Sequence, residues 1–396
     1  MKTALVRCAL ALTLLHFGAT ACQVYPPVKV PENVDYGRAL PAGADALIRL
    51  GPGDPIPNLT GCWVQREQIL PALERSLQFT RTQHAAQFFP IEGISQARAI
   101  LSLERMAALL EQSRSAEEFQ AAFEEEFDVY QSAGWDGRGG GVLFTGYCTP
   151  LLPGDLEPSQ RYPYPLHALP PDLVKAKDGT TLGQETADGL RPYPTRREIQ
   201  SNPAYRSLEI VWLRDPVDAF IAHVNGSAFI ELESGEVVRF GYAGKNGQPY
   251  TSLGKELIAA GEVPAEMMSL AAIRDWAART HPAQVEAFLD RNDSYVFFTP
   301  IEGNPRGSLN VPVTAERSLA TDKTLFPRGA LVFVDTQLPT PNGGEVPFQQ
   351  LMFDQDTGGA IRTAGRADIY LGVGHRAELL SGATRSTGQM YYLFLK

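Results

Sequence analysis

The chain is poor in the residues that bind metals. Its 396 residues hold only 4 Cys and 6 His. His84, His167, His223, His281 and His375 are scattered, with no His-Glu-x-x-His and no Cys-x-x-Cys, so no metal site is expected. No Gly-x-Ser-x-Gly elbow occurs, which leaves a serine esterase without support. Positive charge is short too: 35 Lys+Arg stand against 45 Asp+Glu, a formal net charge of −10. Grip on a phosphate backbone needs a clustered basic face, so no nucleic-acid partner is expected. The only long apolar run is at the N-terminus, which excludes a multi-span membrane protein. Gly372-Val373-Gly374-His375-Arg376-Ala377 imitates a dinucleotide fingerprint, but too few residues follow it for a βαβ unit. No cofactor is expected.

What the sequence does have begins with an export signal over residues 1–21. Lys2 and Arg7 are basic, Ala9 to Phe17 are apolar but too few to span a bilayer, and Ala19-Thr20-Ala21 offers small residues for cleavage. Ala21-Cys22 also fits a bacterial lipoprotein box, with Ala19 where Leu is usual. Both cuts fall before Cys22. Lipid modification of Cys22, followed by Gln23, suggests an outer-membrane anchor facing the periplasm; plain periplasmic secretion is the alternative. Residues 22–58 are Pro-rich and read as a tether. In that oxidising space Cys62 and Cys148 form an even pair, expected as a single disulfide, with two buried thiols as the alternative.

Thirty Pro and 36 Gly point to many turns and a β-rich protein. Helical spacing appears over Ile94 to Gln112. A second helix starts at Ser115 with Glu118 as a capping box and Phe119, Phe123 and Phe127 as its core face. Past Gly137 to Gly141 the pattern turns to strands: Ser207–Leu213, Val217–Val224, and Ala228–Glu233 with Glu236–Tyr242 around a Ser234-Gly235 turn. Helices are expected at Ser252–Ala260, Glu266–Arg279 and Pro282–Asp290. From Ser294 onward mostly strands are expected, without regular helices between them, which favours a barrel over a parallel doubly wound sheet.

Several polar, glycine-containing blocks exceed what structure alone demands. They are Thr145-Gly146-Tyr147-Cys148-Thr149-Pro150, His223-Val224-Asn225-Gly226-Ser227, Tyr242-Ala243-Gly244-Lys245-Asn246-Gly247, Arg317 to Asp322, Asp356-Thr357-Gly358-Gly359-Ala360-Ile361, and Arg366-Ala367-Asp368. Tyr, Asn, Ser and small turns in a cleft suit a sugar polymer, which offers flat rings to stack on and many hydroxyls to pair. At these residues the chain resembles the membrane-bound lytic murein transglycosylase A family with its three-aspartate domain, strongly from Thr145 to Lys396 and more loosely from Gly61. Two departures stand out: Cys148 where the family usually has an aromatic, and Asn225 with Ala228-Phe229 where it usually has Gln and Gly-Arg.

The resemblance implies an α+β chain, mainly β with a helical N-terminal part. A double-psi β-barrel would be built from residues 59–150 plus 302–396, with a second β-domain, 151–301, inserted as the other wall of a glycan groove. It also implies that Asp322, Asp356 and Asp368 are the three aspartates. Substrate contacts would come from Thr145, Gly146, Tyr147, Asn225, Gly226, Ser227, Tyr242, Lys245, Asn246, Gly358, Gly359 and Ala360. The partner would be peptidoglycan strands, with cell-wall enzyme complexes as further candidates.

Chemistry narrows the roles. Glycosidic cleavage needs a proton on the leaving oxygen and passes through an oxocarbenium-like transition state. A lytic transglycosylase uses the muramyl C6 hydroxyl as nucleophile, so one carboxyl acts first as acid and then as base. Asp356, beside Gly358-Gly359, is the expected acid, with Asp368 and Asp322 raising its pKa by like charge. Two alternatives stand beside this reading: a hydrolase using water on the same scaffold, and a catalytically silent wall-binding lipoprotein.

Overall fold

The computed structural model describes residues 34–176, 179–268, 270–340, 344–359 and 361–396. The expected signal, Cys22 and Ala360 lie outside them. Among the described residues no helix is long and apolar enough to cross a membrane.

The chain enters through β1 (Leu47–Arg49) and a helical layer: α1 (Thr60–Val64), α2 (Arg66–Thr80), α3 (Gln83–Ala86), α4 (Gln96–Gln112) and α5 (Ala116–Glu126). It then runs into β2 (Phe127–Ser132) and β3 (Val142–Thr149). The expected tether is therefore not free throughout. Leu47–Arg49 pair antiparallel with β2, and Glu92 accepts the backbone N–H groups of Ala46 and Leu47. Ser115 caps α5 as expected by accepting the Glu118 N–H, but the Glu118 carboxylate turns to Arg114 instead of closing the box. Phe119 and Phe123 are buried on α5, while Phe127 already belongs to β2.

The middle of the chain forms a second body. In order it has β4 (Leu151–Asp155), β5 (Tyr164–His167), β6 (Leu173–Lys175), β7 (Thr181–Thr186), β8 (Gly189–Arg191), α6 (Arg196–Ser201) and β9 (Glu209–Leu213). There follow α7 (Pro216–Asn225), β10 (Ala228–Glu231), β11 (Val237–Lys245), α8 (Leu253–Ala259), α9 (Leu270–Arg279), α10 (Pro282–Leu289) and β12 (Val296–Pro300). Six of these strands make one sheet in the order β12-β11-β10-β4-β9-β5, and β6-β7-β8 make another. The β10–β11 hairpin forms as expected, with Gly235 at φ 82 in its turn.

The expected strand at Val217–Val224 is instead α7. Asp215 caps it through the Val217 N–H, Pro216 takes the first turn, and Gly226 stops it in the left-handed region at φ 67. Its sequence looks strand-like because both faces are buried. Ala219 and Ala222 pack on the sheet, while Val217, Phe220 and Ile221 pack against α8, α9 and α10.

The C-terminal part supplies β13 (Ser318–Ala320), β14 (Leu331–Pro339), β15 (Glu345–Asp356), β16 (Arg366–Val373), α11 (His375–Ala383) and β17 (Arg385–Leu395). The run β17-β14-β15-β13-β16-β3 is closed by β3 pairing with β17, so six strands form a ring, with β2 and β1 continuing the sheet outward. Pairs β13–β15 and β3–β16 are parallel; the others in the ring are antiparallel. The helix α11 is a departure from the expectation of mostly strands without regular helices between them.

Alternation along the strands feeds two cores. Val332, Val334, Met352, Tyr392 and Phe394 face the ring interior, while Leu331, Phe333, Leu351, Phe353 and Leu393 face the helices. There they meet Ile69, Leu73, Leu77, Met106 and Phe119. Each such side chain contributes about 1.5–3 kcal/mol by leaving water. The expected disulfide is absent for the same reason. Cys62 is buried in the helical core and Cys148 in the ring core, and both are free thiols.

Candidate active site

Where β15 meets β13 the register shifts: Leu319 pairs with Asp354, but Ala320 pairs with Asp356. The extra residue, Gln355, is a bulge, a device that re-aims the side chains beside it. Gln355 turns into the helical layer, donating to the Ala72 carbonyl at 2.8 Å and the Ser76 hydroxyl at 2.9 Å. Asp354 is fully buried with Lys323, whose ammonium it pairs, and accepts from Thr321 and from Tyr392 at 2.8 Å. Asp356 is left partly open at the strand end.

Three donors hold Asp356. The Tyr147 hydroxyl reaches Oδ2 at 2.8 Å, and the Ser308 and Thr357 N–H groups reach Oδ1 at 2.8 Å each. Gly307 permits the approach of Ser308, since a Cβ there would sit 2.7 Å from the Gln355 carbonyl oxygen and 3.1 Å from the Asp356 carboxyl carbon. Burial pushes the Asp356 carboxyl above the usual carboxylate range, and these three hydrogen bonds, with the Lys323 charge, offset part of that rise. Tyr147 is pushed well above the usual phenol range by burial and by Asp356, so it remains a donor. Its ring lies 5.1 Å from that of Tyr370, whose hydroxyl bonds Thr149 at 2.9 Å.

Asp368 stands on the next strand over, paired with Ala320 on one side and Thr145 on the other. Burial raises it as it does Asp356, but with fewer donors to offset the rise. Burial drives its carboxyl up to about 6, opposed by a Thr145 hydrogen bond and the Arg366 charge, with the Asp356 charge adding to the rise. Its Oδ1 is buried and has no hydrogen-bond partner. A carboxyl so placed favours its protonated form and has a free oxygen to offer.

Asp322 does not join them as a titrating neighbour. Its Oδ1 accepts from the Thr324 N–H and hydroxyl, its Oδ2 from the Thr363 N–H, and Arg362 lies 3.8 Å away. Those bonds outweigh burial and hold it below the usual carboxylate range. Asp322 ties the β13 exit to the loop before β16.

The other expected contacts divide. Gly146 is a packing glycine: a Cβ there would come within 2.5 Å of Leu371 and 2.9 Å of the Ser381 backbone on α11. Gly358 faces Ile361, and Gly359 faces open space. Tyr242 and Lys245 are exposed on β11, and Asn225 is exposed at the end of α7. Gly226 lies against the Tyr242 ring, and Ser227 is buried. Asn246 is committed to partners within the protein. It is 2% exposed, donates to the Pro194 and Asp293 carbonyls, and accepts from Gln248 and Tyr295. Ser308, Gly307, Tyr370 and the Lys323–Asp354 pair went unread in sequence, since only tertiary pairing brings them to the aspartates.

Comparison with known proteins agrees with this layout. Residues 143–299 match the MltA specific insert domain, and residues 317–394 match the 3D domain. The membrane-bound lytic murein transglycosylase A of Escherichia coli K12 is 34% identical over 271 residues, 67% of this chain and 69% of that protein. The Vibrio cholerae counterpart is 33% identical over 261 residues, 65% of this chain and 66% of its own length. A membrane-bound lytic murein transglycosylase structure from Agrobacterium tumefaciens is 28% identical with TM-score 0.71, covering 88% of this chain and 98% of that one. The structure of E. coli MltA with bound chitohexaose is 25% identical with TM-score 0.67, covering 93% and 99%. Fold and comparisons thus define a 3D-domain protein carrying an MltA-type insert. The chain belongs to the membrane-bound lytic murein transglycosylase A family.

Proposed function

We propose that this protein is a lytic transglycosylase that cleaves the β-1,4 bond between N-acetylmuramic acid and N-acetylglucosamine in peptidoglycan, leaving a 1,6-anhydromuramyl end. The observation that carries the mechanism is the difference in hydrogen bonding between two aspartates that burial raises alike. Asp368 is driven up to about 6 with one oxygen unpartnered, while Asp356, also raised, keeps three donors that favour its carboxylate.

The roles follow from that contrast and reverse the sequence expectation. Protonated Asp368 donates to the glycosidic oxygen as the bond to C1 breaks. Asp356, whose three donors favour its carboxylate, faces the positive charge developing at the sugar ring. Asp368, now ionised, accepts the proton of the C6 hydroxyl as that oxygen bonds C1. One group thus serves as acid and then as base, and no water is consumed. Tyr147 fixes Asp356, and Thr145 and Arg366 position Asp368. Tyr242, Lys245, Asn225, Gly226 and Ser227 on the inserted body supply the opposite wall of the groove. A double-psi wiring of the ring fits its two parallel pairs, β13–β15 and β3–β16.

In the envelope we propose an acyl anchor on Cys22 that holds the enzyme at the outer membrane facing the periplasm, with wall-synthesising or recycling enzymes as candidate partners. The test of the activity is mass spectrometry of soluble fragments released from sacculi by the purified protein. Reducing ends one water lighter than free muramyl ends support transglycosylation. Fully hydrated ends would make the protein a hydrolase, and no release at all a binding lipoprotein.

A further inference from the structure

A cavity of about 530 Å³ opens beyond Asp356, on the side of the ring that carries the helical layer. It shares Ser308 and Thr357 with the Asp356 cradle, and its walls include Lys323, Arg328, His84 and Phe88. The size lies within the roughly 300–1,000 Å³ typical of ligand sites. Its chemistry differs from that of a sugar subsite in two respects.

The first is that its aromatic rings are already engaged. The Arg328 guanidinium lies 3.9 Å over the Phe88 ring, that ring meets His84 edge-on at 5.3 Å and 83°, and Phe79 is buried. A sugar therefore meets no broad open ring to stack on. The second is charge. No Asp or Glu lines the cavity, although the chain has ten more acidic than basic residues. Lys323 is already neutralised by Asp354. Arg328 feels the Asp354 charge but forms no ion pair among the described residues, and its Nη1 donates to the Lys323 carbonyl at 3.0 Å. Amide-bonding groups, Gln87, Ser308 and Thr357, complete the wall.

We propose that this cavity, with Arg328 as its anchoring cation, binds the carboxylate-bearing peptide stem of the muramyl residue being cleaved. The inference rests on the peptidoglycan reading above. The stem leaves the muramyl ring close to the carbon that carries the scissile bond, so a ring held at Asp356 and Asp368 projects its stem close to them. Arg328 offers forked N–H donors to a carboxylate, the guanidinium stays charged, and Phe88 holds its plane.

The experiment compares parent and Arg328→Ala on two substrates: peptidoglycan strands with their stems, and the same strands stripped by an amidase. The amidase leaves a short lactyl carboxylate on the ring, so only the stem-bearing strands place carboxylates at the reach of the stem, where the charge-assisted hydrogen bond to Arg328 is expected. Removing it should lower the ratio of kcat/KM for stem-bearing over stripped strands about tenfold, chiefly through KM. Arg328→Lys, which keeps the charge but not the fork, should recover part of the ratio. An unchanged ratio, whether both rates fall or neither does, would overturn the proposal. Binding of a free lactyl tripeptide, followed by NMR, separates this inference from the reading it rests on. If the parent enzyme released nothing from either substrate, peptidoglycan cleavage would fall. The peptide would still decide for or against the cavity by binding to the parent and not to Arg328→Ala.

Discussion

Asp356 and Asp368 pair with the same residue, Ala320, from its two sides, one in parallel and one in antiparallel register. Neighbouring strands lie about 4.8 Å apart, so the two carboxyl-bearing backbones are held about 10 Å from one another by the sheet itself. The bulge at Gln355 sets this juxtaposition. Without it Ala320 would oppose Gln355, and Asp356 would lie past the end of β13.

The raised carboxyl of Asp368 predicts the pH dependence of activity. The acid must be protonated, so kcat/KM should fall as pH rises through about 6. Asp356→Asn removes a like charge and should move that limb to lower pH. A pH–rate profile of each enzyme checks both statements.

The same group predicts a stability effect with a definite sign. Its folded pKa lies above the unfolded value of 3.8, so its contribution to stability is full below that value and is lost as pH rises to about 6. Asp368→Asn should therefore raise stability at pH 8 by up to about 3 kcal/mol and have less effect at pH 4. Urea denaturation at the two pH values measures it. A variant less stable than the parent at pH 8 would count against a buried, charge-averse carboxyl.

Asn246 should behave as a structural residue. Asn246→Ala removes four hydrogen bonds and leaves buried carbonyls and N–H groups unpaired, at a cost of roughly 2–4 kcal/mol. Thermal unfolding should show the loss, with glycan affinity of the folded fraction preserved.

Cys62 and Cys148 should titrate as two thiols after denaturation and as none before it. Burial pushes Cys62 up to about 12 and also raises Cys148, so neither offers a thiolate to a reagent. A reductant should leave the melting temperature unchanged.

Much of this fold was legible wherever one face of an element is solvated. The β10–β11 hairpin announced itself through Ser234-Gly235, and α8 through Ser252, which accepts the Lys255 N–H, and Gly261. Elements buried on both sides were harder to read. The interior of α7 is apolar all round and reads as a strand, although Asp215-Pro216 and Gly226 carried its boundaries. Pro71 inside α2 and the Gly-rich start of α11 hid two helices. At the site, sequence located Asp356, Asp368 and Tyr147. It could not rank the aspartates, because the donors to Asp356 come from Tyr147, 209 residues away, and Ser308, 48 residues away. What raises Asp368 is burial without any donor at its Oδ1.

The assignment of the proton to Asp368 is tested most directly by measuring anhydromuropeptide release from Asp368→Asn and Asp356→Asn side by side at pH 5. A positioned acid is typically worth about 10²–10⁴-fold, so Asp368→Asn should lose at least that much while still binding glycan. Asp356→Asn should lose less, because Asp368 retains its proton. If Asp356→Asn is the silent variant and Asp368→Asn still releases anhydro products at near parental rate, the roles are the other way round.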